Sequence, residues 1–162
     1  ARGLGHRVDI WLYMIGVGFG PAAAAIVVQN LGAGERDLAM RAGWVITGYA
    51  TIPAVLGAIL SLTVPHEVAA LFTRDPAVIA EAASYLRIVA VAQLFVCAEL
   101  VLESAMGGAG DTVPPMVSST VLTLLLVQLA AWAAARWGTA GIWWVLSLTA
   151  VGRGLGMMAL WR

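Results

Sequence analysis

The feature that most constrains the fold of this chain is a series of five long apolar segments. They cover residues 10–30, 42–64, 85–106, 113–135 and 140–161. Each has close to the roughly 20 residues that a helix needs to cross a bilayer. Only 11% of the residues are charged, against about 25% in a soluble domain. We therefore predict an all-α, polytopic transmembrane helix bundle of about five spanning helices, with residues 1–162 in a single domain.

The connections between these segments carry signals of their own. Residues 65–72 are too few to span a bilayer, and Val68, Leu71 and Phe72 share one helical face, which predicts a short interfacial helix. Asp75 before Pro76 is typical of a helix N-cap followed by proline at the first helical position. Four tryptophans surround the connection near Arg136, as in an aromatic belt at the membrane surface. They are Trp132, Trp137, Trp143 and Trp144.

Charge and cysteine content exclude several function classes. Nine basic residues, all arginine, balance nine acidic ones, and without a basic face we expect no nucleic-acid partner. Cys97, the one cysteine, lies inside an apolar run and is predicted to be a small buried side chain. The sequence contains no metal-ligand cluster and no nucleophile beside a base. We therefore expect no enzyme activity, no metal and no organic cofactor.

Two carboxylates, Glu99 and Glu103, stand four residues apart in the third apolar segment, on one face of a helix. An acid in hydrocarbon costs about 2.5–3.5 kcal/mol on insertion scales, so such residues usually face an interior or a water-filled path. Two ionised neighbours repel each other, which favours proton binding near neutral pH. This pattern is typical of a proton- or cation-coupled transporter. The alternative is that a basic residue pairs with the acids and only holds helices together.

Arg153 is the candidate for that basic residue. It lies about 12 Å from the end of the fifth segment at 1.5 Å per residue, and Glu99 lies equally far from the end of its own helix. If the segments alternate in direction, both ends are on the same side of the membrane. The glycines flanking Arg153 would allow close approach. We predict a Glu99–Arg153 ion pair, with Glu103 the more readily titrated acid.

Helix interruptions are predicted in the first two segments. Gly20 and Pro21 lie in the middle of the first, and Pro53 lies within the second. Proline removes a donor and clashes with the preceding turn, so each position should kink or break its helix. In transporters such interruptions mark substrate sites and allow helices to bend between states. A role in packing alone is the alternative.

Three motifs, in order and over most of the chain, resemble those of multidrug and toxic compound extrusion (MATE) transporters. Residues 29–34 resemble the family's "GQNLGAG" element, residues 71–88 its "LF…D…YLRI" loop, and residues 106–116 its "LRGAGDT…PM" motif. The residues that carry the first and third motifs are Gln29, Asn30, Gly32, Gly34, Gly108, Gly110, Asp111 and Thr112. Two positions depart from the family: Gly107 replaces a common arginine, and Val96 stands where some members carry a coupling aspartate.

The resemblance implies a fold of twelve helices in two halves, with cation and drug sites inside the lobes. This chain resembles the C-terminal half without its first helix, so we expect a fragment whose partners include the missing N-terminal lobe and the lipid bilayer. The implied activity is export of small amphipathic or cationic compounds across the inner (plasma) membrane, driven by H⁺ or Na⁺. Glu99 and Glu103 resemble the "E…LE" variant of a bacterial subgroup.

Two other functions are compatible with the sequence. A lipid-linked oligosaccharide flippase of the same superfamily would need more cationic residues than Arg153 to hold a pyrophosphate. A non-transporting membrane scaffold would use its buried charges only for structure. Normal efflux after Glu99→Gln and Glu103→Gln would favour the scaffold.

Overall fold

The computed structural model describes residues 2–161, and the side chains of that range except those of residues 2–9, 11, 12, 15 and 139. The described chain is helical, without strands, which confirms the all-α prediction. The helices are α1 (Arg2–Gly32), α2 (Arg36–Thr63), α3 (Pro65–Ala70), α4 (Pro76–Gly108), α5 (Val113–Gly138) and α6 (Ala140–Leu160).

Helix length and apolarity fit a membrane environment. Among the residues that the structure describes, four helices, α2, α4, α5 and α6, are long and apolar enough to cross a bilayer. Within the part of α1 that has described side chains, Gly16–Gly32 forms a shorter apolar helix. The short α3 lies where an interfacial helix was predicted, and Leu71 just beyond it is 83% exposed. The transmembrane class read from the sequence is therefore confirmed.

Helix α4 is the centre of the bundle. It packs against α1, α2, α3 and the α5–α6 pair. About half of its most apolar stretch is buried, whereas almost none of the corresponding stretch of α5 is. Many of the buried residues are small, and small side chains let helix backbones approach closely where lipid provides no hydrophobic driving force. The Asp75 carboxylate caps α4 as predicted, because its Oδ1 accepts a 3.0 Å hydrogen bond from the amide of Ala77.

The turns are grouped at the two ends of the bundle. The α1–α2 and α4–α5 turns lie at one end, where Gly34 and Gly110 adopt φ values of 80° and 84°, the left-handed region that favours glycine. At the opposite end, α5 joins α6 through Gly138 at φ 62°. The family motifs at residues 29–34 and 106–116 therefore lie at the same end.

At Gly20–Pro21 and at Pro53 a kink or a break was predicted, and the structure excludes the break. Both α1 and α2 continue through their prolines. Each proline still removes the hydrogen bond that the carbonyl four residues earlier would accept, at Val17 and Tyr49. Bending at these positions between transport states stays a prediction.

The buried carboxylate site of α4

The centre of the site is an ion pair between α4 and α6. Glu99 is 3% exposed, and its Oε1 accepts from Arg153 Nε at 2.7 Å and lies 2.6 Å from Arg153 Nη2. The predicted Glu99–Arg153 contact is thus confirmed. The Arg153 side chain is 33% exposed, so the pair is buried on the Glu99 side only.

Close backbone contact brings the two charges together. A Cβ atom at Gly154 would lie 2.6 Å from the carbonyl oxygen of Phe95, one turn before Glu99. Such a distance excludes any larger residue unless the helices separate, so Gly154 allows Arg153 to reach Glu99. The contact between α4 and α6, which we call the α4–α6 seam, also includes a hydrogen bond: the Ser147 hydroxyl donates to the carbonyl of Ile88 at 3.0 Å.

Glu103 faces a different part of the molecule. It is half-buried and lines an open cavity of about 400 Å³ between the end of α4 and the start of α5. The other lining residues are Gly107, Thr112, Pro115, Met116 and Ser119. Among the described residues no arginine forms an ion pair with Glu103. The two acids share a helix but have different surroundings: Glu99 is held by a cation and Glu103 borders a cavity.

The motif residues support the turns next to this site. Two turns and the end of α6 enclose a second cavity of about 270 Å³, which includes Arg36, Asp111 and Trp161 among its lining. A Cβ atom at Gly108 would lie 2.7 Å from the carbonyl oxygen of Ala24, so this glycine permits α4 to end against α1. The side-chain amide of Asn30 donates to the carbonyl of Ile26 at 2.8 Å.

The remaining predicted residues are dispersed. Gln29 and Gly32 are exposed, as is Pro21, and Pro53 is half-buried. Thr112 borders the Glu103 cavity. Gly20 packs against α4, because a Cβ atom there would lie 2.5 Å from Ser104 Oγ.

Sequence reasoning missed two contacts that position α2. The buried Cys97 thiol donates to the carbonyl of Ala50 at 3.2 Å, joining α4 to α2. The Trp161 ring lies against Gly43, and its Nε1 donates to the carbonyl of Met40 at 3.3 Å. In the sequence, such a contact is signalled only by a small residue on one helix and a larger one on another. That signal does not tell which small residue packs against which large one.

These features define a class of protein: a helical membrane protein whose central helix carries a buried acid paired with a cation. Ionisable groups inside membrane helices commonly mark ion or substrate pathways. In the part of the chain that the structure describes, no three His, Cys, Asp or Glu side chains come together to bind a metal ion.

The family follows from comparison with known proteins. The MatE family model matches residues 1–132, so the chain belongs to the MATE family and is a multi-pass membrane protein. The matched range includes Glu99 and Glu103 and ends before α6, which carries Arg153.

The relatives cover most of this chain. It is 33% identical over 104 residues to "Protein DETOXIFICATION 17" of Arabidopsis thaliana, covering 64% of this chain and 22% of the relative. It is 28% identical over 146 residues to "Multidrug and toxin extrusion protein 1" of Xenopus tropicalis, covering 88% and 25%. "Probable multidrug resistance protein NorM" of Thermotoga maritima is 27% identical over 120 residues, covering 70% and 25%. The chain therefore spans about a quarter of the length of the curated relatives it matches.

Proposed function

We propose that this chain is part of a secondary active transporter that exports small amphipathic or cationic compounds in exchange for H⁺ or Na⁺. The observation that carries the proposal is a buried acid of the central helix, Glu99, one turn from a second acid, Glu103, that borders a cavity. The printed names of the relatives, which refer to multidrug resistance and toxin extrusion, support export. In this proposal the chain is most of a C-terminal lobe in the inner membrane and works with an N-terminal lobe.

In this mechanism Glu103 receives the coupling cation from the cavity. Glu99 then couples the arrival of that cation to the ion pair between α4 and α6. A proton that reaches Glu99 by way of Glu103 neutralises the partner of Arg153, and a Na⁺ held between the two carboxylates competes with the guanidinium for Glu99. The guanidinium is then free to leave α4. A cation shifts the balance between inward- and outward-facing states only if it binds one of them better. The α4–α6 contact is the element whose state it would change.

A structural role has an observation in its favour as well, because Arg153 already neutralises Glu99. In that case Glu99 would serve only to hold α6 against α4. The flippase alternative loses its main support for the same reason: the guanidinium available for a pyrophosphate is engaged with a carboxylate. Transport and structural roles predict different behaviour for the two acids, and that difference is the basis of the test.

The test measures efflux of a fluorescent cationic dye from cells that produce the full-length protein carrying this chain. Glu99→Gln and Glu103→Gln are compared with wild type across external pH and Na⁺ concentration. Glu81→Gln, an exposed acid near the start of α4, is the matched control. We expect at least a tenfold loss of efflux in Glu103→Gln at unchanged membrane abundance, with the pH or Na⁺ response identifying the ion. Normal efflux in both variants would mean that Glu99 and Glu103 have only a structural role.

A further inference from the structure

The end of α5 carries a stacked cluster of aromatic and basic side chains that the transport site does not use. The Arg136 guanidinium carbon lies 4.7 Å from the centre of the Trp132 ring, in cation–π geometry. The edge of the same cluster is formed by Trp137, whose ring meets Trp132 at 5.4 Å and 89°. Arg136 is exposed, and Trp137 is 62% exposed. We call Trp132, Arg136, Trp137 and Trp144 the Trp–Arg surface.

This surface is held by a tight connection between two helices. Gly138 reverses the chain at φ 62° without a loop between α5 and α6. A Cβ atom at Gly141 would lie 2.8 Å from the carbonyl oxygen of Ala133, so the two helices touch directly at the turn. Side chains next to such a contact keep a defined spacing. The surface is therefore preorganised for a ligand, which reduces the entropy cost of binding.

The chemistry of the stacked arginine favours a phosphate group. A guanidinium lying over a ring keeps its N–H donors in its own plane, where they match two oxygens of a phosphate. Within the described residues, no carboxylate pairs with Arg136. Its charge therefore remains available to an anion.

The position of the cluster along α5 places that anion at the membrane surface. Helix α5 has 26 residues, about 39 Å at 1.5 Å per residue, which exceeds the hydrocarbon thickness of about 30 Å. Arg136 lies two residues from its end, and exposed tryptophans are typical of the headgroup level. Beside it an apolar groove of about 380 Å³ runs between Trp137 and Trp144, suited to the glycerol and upper acyl chain of a lipid.

We propose that the Trp–Arg surface binds an anionic phospholipid, with the phosphate on Arg136 and the upper acyl chain along the groove between Trp137 and Trp144. Charge complementarity favours an anionic headgroup, because Arg136 has no carboxylate partner among the described side chains. The proposal is independent of the transport role of Glu99 and Glu103.

The test is a lipid titration of the purified full-length protein in detergent, read by native mass spectrometry. Phosphatidylglycerol is compared with phosphatidylcholine of the same acyl chains. We expect Arg136→Gln to weaken phosphatidylglycerol binding about fivefold, because it removes the charge-assisted contact between the guanidinium and the lipid phosphate. Trp132→Leu, which removes the stack but keeps the charge, should weaken it about threefold, within the range of a cation–π contact. Arg74→Gln, an exposed arginine in the α3–α4 turn, should have no effect.

Several outcomes would overturn the proposal. Equal weakening by Arg74→Gln would mean that only net charge attracts the lipid. Equal affinity for phosphatidylcholine would exclude recognition of an anionic headgroup. Binding of inorganic phosphate alone, lost in Arg136→Gln, with no preference among the lipids, would assign the surface to a soluble anion. Arg136 and Trp132 are both exposed, and gel filtration with thermal unfolding verifies that the Arg136→Gln and Trp132→Leu variants fold.

Discussion

The α5–α6 hairpin stabilises its two arginines in contrasting ways. Arg153, about 10 Å from the end of α6 at 1.5 Å per residue, is bound to a buried carboxylate of another helix. Arg136, at the tip of the hairpin, is exposed and lies on the ring of its own neighbour Trp132. Depth explains the difference, because a cation in hydrocarbon needs an opposite charge, whereas one at the headgroup level retains water and needs only packing. The first arginine holds the bundle together, and the second is free to meet something outside it.

The comparison between the two arginines predicts the largest loss of stability when the Glu99–Arg153 ion pair is broken. Arg153→Met leaves Glu99 buried without a partner, which should lower the free energy of unfolding by about 3–5 kcal/mol. The measurement is equilibrium unfolding of the full-length protein in mixed micelles. The double variant Glu99→Gln/Arg153→Met removes both charges and should recover most of the loss. A cost below about 1 kcal/mol for Arg153→Met alone would show that Glu99 does not depend on its cation.

The second-largest loss of stability is expected where α6 packs closely on α4 beside Arg153. In Gly154→Ala the added Cβ meets the backbone of Phe95, and such overpacking typically costs about 1–3 kcal/mol. The control is Gly152→Ala, two residues away, where a Cβ would meet nothing within 4 Å. The same unfolding assay compares the two, and equal values would mean that α6 does not pack on α4 through Gly154.

A smaller change is expected at the exposed arginine. Arg136→Gln removes a cation–π contact at the surface and should cost about 0.5–1 kcal/mol. Measured in micelles without anionic lipid, this value sets the baseline for the contrast with Arg153. If the two arginine variants destabilised the protein equally, the distinction between a structural and an available cation would fail.

An effect at the low end of this range is expected for a neutral hydrogen bond between α6 and α4. Ser147→Ala removes the hydrogen bond to the carbonyl of Ile88, and such interhelical bonds average about 0.6 kcal/mol in membranes. Thr149→Ala is the control, because Thr149 donates to Val145 within its own helix. The difference in unfolding free energy between the two variants isolates the interhelical contribution. A cost for Ser147→Ala near that of Arg153→Met would remove the special role of charge.

Features that depend on position along the membrane normal were predictable from the sequence. The helices follow from apolar length, and the Glu99–Arg153 pair follows from matching depths on two helices. Rotation of each helix about its axis was not predictable, because helices that are apolar on every side carry no periodic signal. The sequence therefore did not indicate that Glu103 faces α5 or that Cys97 bonds to Ala50. The prolines are a separate case: α1 and α2 continue through Pro21 and Pro53 without a break, because the surrounding helix tolerates the loss of one hydrogen bond.

The loopless connection at Gly138 has a consequence for biosynthesis. From Val113 to Leu160 the chain is 48 residues long, and its charged residues are Arg136 and Arg153 alone. A translocation channel can accept two such helices together as a hairpin, since Gly138 leaves no hydrophilic loop to thread. When the tip leads, Arg136 is the single charge that has to cross the bilayer. Arg153 then enters lipid with no partner on its own hairpin, so its charge is neutralised only when α4 is already in place.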